Sequence, residues 1–188
     1  MKKKNTPVAE KESCPKIVPV LTTARLTLRP AQLEDAPAVF DWSHSPEATH
    51  YLFWLPHRTP EDSKRLVAVW VRKRCHYSWL LDDHHRAIGE IELIKDLPNQ
   101  GAMIGYILVP TAWHQGYMKE ALASVLDYLP KVGYRYAQAE TDKENLASIH
   151  LLQAMGFVPY GKEEPYFIAK KNTTITLVRF RKELLPSC

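Results

Sequence analysis

The sequence predicts a mixed α/β domain in which helices layer onto one sheet. Three observations carry that expectation. Segments of strand period and helix period follow one another in the order strand, two helices, three strands, helix, strand, helix, two strands. The run Met103 to Val109 is apolar on both faces, as a central strand covered on both sides must be. The 188 residues, with 45% hydrophobic and 24% charged side chains, supply one sizeable core without requiring a second domain.

Residues 1 to 20 mix Lys, Glu, Pro and Ser without a period and are expected to form a flexible arm, leaving 21–188 as a single domain. From Arg25, polar and apolar side chains alternate as in a half-buried strand, which Pro30 ends. Leu33, Ala36, Val39 and Phe40 then recur at helical spacing behind the acidic pair Glu34 and Asp35, and Ser45-Pro46 opens a second short helical piece. Tyr51 to His57 is an aromatic loop, suited to packing and equally to binding. Thr59-Pro60-Glu61-Asp62 combines a cap, a first-turn proline and acids, so a helix should run to about Arg74 with Leu66, Val69 and Trp70 on its core face.

Tyr77 to Leu81 and Ala87 to Ile94 read as a hairpin around Asp82-Asp83-His84-His85. Adjacent histidines on a turn point apart and no further ligand stands at metal spacing, so no metal is expected. After the central strand, Ala121, Leu122, Val125, Leu126 and Leu129 mark one stripe of a helix that Pro130 and Gly133 stop. Tyr134 to Thr141 is a strand, Glu144 to Met155 a helix with Gly156 at its left-handed cap, and Phe167 to Phe180 a final hairpin around Lys171-Asn172.

Composition narrows the function. A formal charge of +4 with one lysine run at Lys2 to Lys4 is too little for nucleic-acid binding to be expected, although that run and Arg179-Phe180-Arg181-Lys182 leave an RNA- or ribosome-associated role as a weak competitor. Cys14, Cys75 and Cys188 are dispersed and odd in number, which suits a reducing cytoplasm rather than a disulfide framework. No apolar run reaches the ~20 residues of a membrane span, so no membrane partner is expected. With seven glycines and no G-x-G-x-x-G, G-x-x-x-x-G-K or G-x-S-x-G, the common dinucleotide folds, phosphate loops and hydrolase elbows are absent.

The stretch Ile104 to Leu126 holds what remains: a buried strand, a turn with Gly116, and an amphipathic helix. A helix start leaves backbone N–H groups without partners and carries partial positive charge, so this arrangement makes an anion pocket, commonly for phosphate. Its turn reads WHQGYMKEA over residues 113–121, and Asn145-Leu146-Ala147-Ser148 and Met155-Gly156-Phe157 follow. These segments resemble the GNAT superfamily of N-acetyltransferases, and most of all its ribosomal-protein N-terminal acetyltransferase branch, with W-G-x-G-Y-A-x-E-A and N-x-x-S-I-x-L-L-x-x-x-G-F. The TARLTLRP and IGYILVP strands fit the same branch, so the resemblance spans roughly residues 21 to 183.

The resemblance implies a mostly antiparallel central sheet of about seven strands with helices on both faces. It implies acetyl-CoA as co-substrate, no metal, and direct transfer in a ternary complex to a primary amine. A protein N-terminus is the leading acceptor; a polyamine, amino acid or aminoglycoside is the alternative, and a non-catalytic acyl-CoA-binding module is the competitor from another class. Monomer and homodimer both remain open. By the same resemblance the backbone of His114, Gln115, Gly116, Tyr117, Met118 and Lys119 would hold the pyrophosphate, and Ile107, Leu108 and Val109 the pantetheine arm. His114 and Met118 depart from small residues in the family pattern, so His114 requires an unstrained turn and Met118 must point away from the phosphate.

Acetyl transfer needs the amine deprotonated and the leaving thiolate stabilised. The resemblance makes Glu140 the candidate base, although a glutamate at a strand end is as readily an exposed carboxylate. Asn145, Ser148 and Leu152 fall on one helical face. Relatives place a tyrosine at the position of Leu152 as acid for the thiolate; Ser148 is the hydroxyl available here, unless it only caps its helix. Asn145 and Ser148 also belong to the expected cofactor contacts. Glu90 and Glu92, on one face of their strand, are second-rank bases or the solvated side of a sheet, and with Phe53, Trp54 and Tyr106 they complete the expected acceptor site. Cys75 is expected to be a buried small residue without a covalent role.

Overall fold

The computed structural model describes residues 18–72, 78–83 and 86–184. The first strands are short: β1 (Leu21–Thr22) turns back on β2 (Thr27–Arg29). Three helices follow, α1 (Ala36–Ser43), α2 (Pro46–Thr49) and α3 (Pro60–Arg72). Then come β3 (Ser78–Asp83), β4 (Arg86–Leu97), β5 (Gly101–Leu108) and α4 (Tyr117–Tyr128). The chain finishes with β6 (Tyr136–Asp142), α5 (Leu146–Ala154), β7 (Val158–Pro159), β8 (Glu164–Ile168) and β9 (Thr173–Glu183). The sheet order is β1-β2-β3-β4-β5-β6-β9-β7, with β8 also on β9. Seven of these strands have three or more residues, as expected, and every described pairing except β5–β6 is antiparallel.

Two apolar layers sandwich this sheet. On one face Ile91, Leu93, Ile104 and Leu108 meet Leu122, Val125 and Leu126 of α4 and Leu152 of α5. On the other, Leu80, Ala87 and Ile107 meet Val39 and Trp42 of α1 and Val67 of α3. The core face of α3 is set by Ser63 and Val67, both fully buried; Leu66 and Trp70 pack only partly, and Val69 lies off the centre of that face. The expected stripe is thus rotated, because α3 leans on α1 as well as on the sheet. Val18, inside the span expected as an arm, is buried with the first core cluster. Cys14, Cys75, Cys188, His84 and His85 lie outside the described residues.

One departure from regular pairing shapes everything that follows. β5 and β6 run parallel and pair only through Gly101–Tyr136, Ala102–Ala137 and Met103–Gln138. Beyond them the strands part: Ile104–Leu108 stay paired with β4, and Ala139–Asp142 stay paired with β9. The closed end is locked by the Tyr136 ring lying against Gly101, where an added Cβ would stand 2.1 Å from the ring. The Tyr136 hydroxyl donates to the Pro98 carbonyl at 2.8 Å, so the ring cannot swing aside without losing that bond.

The turn from β5 into α4 is built from left-handed backbone. His114 has φ of +60° and Gly116 +79°, and Trp113 Nε1 donates back to the Leu108 carbonyl at 3.1 Å to close the turn. The expectation of an unstrained turn at His114 is therefore corrected. A side chain there takes the conformation that a glycine adopts without penalty. Met118 does turn away as expected, with 7% exposure in the core.

Replacing His114 by Gly should relieve that strain by about 1 kcal/mol, partly offset by the freer unfolded chain. Thermal unfolding of His114→Gly is expected about 2 °C above that of the unaltered protein. A lower midpoint would mean that the imidazole makes compensating contacts.

Candidate active site

Where β5 and β6 part, a cavity of about 350 Å³ opens beside the sheet. Its floor comes from Ile104, Tyr106 and Ile107 of β5 and Ala139, Glu140 and Thr141 of β6. Asn145 and Ser148 close one wall from α5, while Glu90 and Glu92 of β4 and the loop residues Phe53 and Trp54 line the other side. Nine of the residues expected at the site thus meet in one space: Phe53, Trp54, Glu90, Glu92, Tyr106, Ile107, Glu140, Asn145 and Ser148.

The polar groups inside are tied down one by one. Asn145 caps α5: its Oδ1 accepts from the Ser148 N–H at 3.2 Å and its Nδ2 donates to Thr141 Oγ1 at 3.0 Å. The capping role thus falls to Asn145 and not to Ser148, whose hydroxyl instead lies 2.7 Å from the Tyr106 hydroxyl across the gap. Burial pushes the Tyr106 phenol up to about 12, against the opposing pull of the Ser148 hydrogen bond, so it keeps its proton at any ordinary pH. Leu152, one turn beyond Ser148 on α5, is fully buried in the core.

Glu140 is half-buried rather than an exposed carboxylate at the strand end. It lies within β6, its side chain is 26% exposed, and its Oε1 accepts from Arg179 Nε at 2.9 Å. Arg179 also pairs with Glu164, and the Glu164 contact first and the Glu140 contact second raise its guanidinium above the ordinary arginine range. Glu90 is 9% exposed and Glu92 half-buried, which corrects the alternative of a solvated sheet face. Both carboxylates also line a second cavity of about 580 Å³ on the far side of Trp54, with His57, Leu66 and Trp70. There burial lowers the pKa of His57 against the pull of Asp62, and Ser63 Oγ lies 2.7 Å from its Nδ1.

The aromatic loop is fixed at both ends. Lys171 donates to the Thr49 and His50 carbonyls at 2.8 and 2.7 Å, joining the last hairpin to the loop's root, and Phe53 meets Tyr166 edge-on at 5.5 Å. Phe53 and Tyr166 are both exposed and form an apolar edge beside the cavity.

The remaining expected cofactor residues, Leu108, Val109 and His114 to Lys119, stand outside that cavity, along and beyond the free side of β5. No side chain caps α4 at Gly116, and a helix start turns its first backbone N–H groups outward rather than into the helix. Above them sits Arg25, which sequence reasoning missed. Its Nε donates to Glu120 at 2.7 Å, its Nη1 to the Gln115 carbonyl at 3.0 Å, and its guanidinium lies 4.4 Å over the Tyr117 ring. Hydrogen bonds from Thr23 and then Arg25 hold the Glu120 carboxyl below its ordinary range. Ninety-five residues separate Arg25 from Glu120, so no local pattern announces the pair. An uncapped helix start, two left-handed residues and a guanidinium suit a pyrophosphate. Among the described residues there is no His, Cys, Asp or Glu cluster able to hold a metal, and no helix is long and apolar enough to cross a membrane.

Comparisons with known proteins bear directly on this arrangement. The family model for the acetyltransferase (GNAT) domain matches residues 25–158. The chain is 28% identical over 157 residues to the uncharacterised N-acetyltransferase p20 of Bacillus licheniformis, covering 80% of this chain and 88% of that protein. In fold it is similar to RimL, a ribosomal L7/L12 alpha-N-protein acetyltransferase solved with coenzyme A, at a TM-score of 0.73 and 22% identity over 90% of this chain and 98% of that one. It is likewise similar to the spermidine N-acetyltransferase of Vibrio cholerae in complex with CoA and spermine, at a TM-score of 0.73 and 21% identity over 86% of this chain and 96% of that one. The parted strands, the uncapped helix start and the matched family model lead to one conclusion: this chain belongs to the GNAT family and is an acetyl-CoA-dependent N-acetyltransferase.

Proposed function

We propose that the chain acetylates a primary amine that enters from the aromatic rim, with a polypeptide N-terminus as acceptor. The observation that carries this reading is the gap between β5 and β6. It leaves Ile104 to Leu108 without a β6 partner, between the α4 turn that follows β5 and a cavity lined by carboxylates and aromatic rings. When bound, acetyl-CoA supplies an activated acetyl thioester. The N–H groups of His114 to Lys119 and the Arg25 guanidinium hold its pyrophosphate, and the free side of Ile107 to Val109 orients the pantetheine arm.

Glu140 removes the proton from the amine through water, using the carboxylate oxygen that Arg179 Nε does not engage. The Arg179 contact fixes its direction. Phe53 and Trp54 exclude water from the attacking nitrogen. Ser148 donates its hydroxyl to the developing thiolate. The exposed pair Phe53 and Tyr166, at the edge of the cavity and on β8, favours an acceptor with an extended chain attached to the amine. A second reading, a small polycation, is favoured by Glu90 and Glu92 lining both cavities around Trp54.

Thiol release from acetyl-CoA across N-terminal peptides, polyamines and amino acids tests the reading, and peptides are expected to give the highest kcat/KM. Release at background with every amine, despite tight coenzyme A binding, would instead mark a binding module without catalysis.

Glu140→Gln is expected to lower kcat about 10²-fold, within the range of general-base losses, with acetyl-CoA affinity unchanged. A rate unchanged from acid to alkaline pH would remove Glu140 as the base.

Trp54→Ala should raise the acceptor KM about tenfold, the loss expected of one buried aromatic wall, and leave the acetyl-CoA KM as it is. Equal rises in both constants would place Trp54 in the scaffold rather than at the acceptor.

A further inference from the structure

We propose that Tyr106 is a positioning residue for acetyl transfer: its hydroxyl donates to Ser148 Oγ and so reserves the Ser148 proton for the sulfur that departs. The inference rests on the acetyltransferase reading and deepens it at one atom.

The geometry is specific. Tyr106 rises from β5, Ser148 from the first turn of α5, and their oxygens meet at 2.7 Å over the gap. The Tyr106 ring packs against the core that α4 and α5 share, which fixes where its hydroxyl stands. Ser148 is fixed from behind, since its N–H is held by Asn145, which is held in turn by Thr141. Thr141, Asn145, Ser148 and Tyr106 all line the cavity, so this chain of hydrogen bonds borders the reacting space.

A hydroxyl has one proton to give. If Ser148 gave it to Tyr106, none would be left for the sulfur. A buried phenol that keeps its proton is the better donor of the two and turns Ser148 into the acceptor, freeing the serine proton to point elsewhere. Leu152 explains why the phenol comes from this side. The α5 position that could have brought a phenol into the cleft is occupied by a fully buried leucine, so the opposite wall provides it. Ser148 lends the sulfur a hydrogen bond and keeps its own proton; the departing thiolate takes its proton from water.

The test is a titration of bound coenzyme A, followed by the ultraviolet absorbance of its thiolate. In the unaltered protein the thiol should ionise about one pH unit below its value in Tyr106→Phe, a tenfold difference in ionisation. Ser148→Ala should match Tyr106→Phe, and the double variant should go no further than either. In turnover, Tyr106→Phe should lose about tenfold in kcat with both KM values within about twofold, and Ser148→Thr, which keeps a hydroxyl, should stay near the unaltered titration. Superimposed titrations for the unaltered protein and Tyr106→Phe would overturn the inference and leave the acetyltransferase reading intact, as would additive losses in the double variant. Failure of the unaltered protein to bind coenzyme A would overturn both.

Discussion

The parting of β5 from β6 is the constraint on which the rest of this structure depends. Three residue pairs hold the strands together, and then each strand keeps only its outer neighbour. A sheet rarely leaves a row of central backbone groups without a strand partner, because buried N–H and C=O groups are costly to leave unmet. Here the cost is contained. The Tyr136 ring over Gly101 pins the closed end, α5 covers the open end, and the Tyr106–Ser148 pair spans it. A cavity bordered by both strands results, with one chemistry at the α4 turn beyond β5 and another in the cavity itself.

At the α4 turn that chemistry is positive and made mostly of backbone. Two left-handed residues and an uncapped helix start aim N–H groups outward, and Arg25 adds a guanidinium anchored on Glu120. In the cavity it is aromatic and acidic. Phe53 and Trp54 stand over Glu90 and Glu92, and the loop that carries the rings is tied to the last hairpin through Lys171. The hairpin and the aromatic loop therefore act as one wall, so a change in β8 or β9 is felt at the site as well as in the sheet.

Much of this was legible in the sequence because it is local. Strand alternation, the Thr59-Pro60 helix start, the Gly133 and Gly156 stops and the strand–turn–helix around Gly116 follow from propensity and period, and the main elements lie close to where those signals put them, whereas β3 extends through Asp82 and Asp83 and the two-residue strands β1 and β7 gave too short a signal to read. Side-chain alternation also placed Glu90 with Glu92, and helical spacing placed Asn145 with Ser148. What could not be read depends on distance along the chain or on rotation of an element. Arg25 with Glu120, Arg179 with Glu140 and Tyr106 with Ser148 are each formed by residues dozens of positions apart. Val69 lies off the centre of the core face because α3 packs on α1 as well as on the sheet, which a period cannot report. His114 was misjudged for another reason: a residue type limits its φ without dictating it, and the turn around it imposed the left-handed form.

The central claim is that one cleft, from the α4 turn through the gap beside β5, is where acetyl-CoA binds. Amide hydrogen exchange with and without coenzyme A tests it most directly. Bound coenzyme A is predicted to slow exchange at residues 104–109 and 114–119, with β1 and β7, the two short outer strands, unchanged. Protection that bypasses both segments, or none at saturating coenzyme A, would contradict the account.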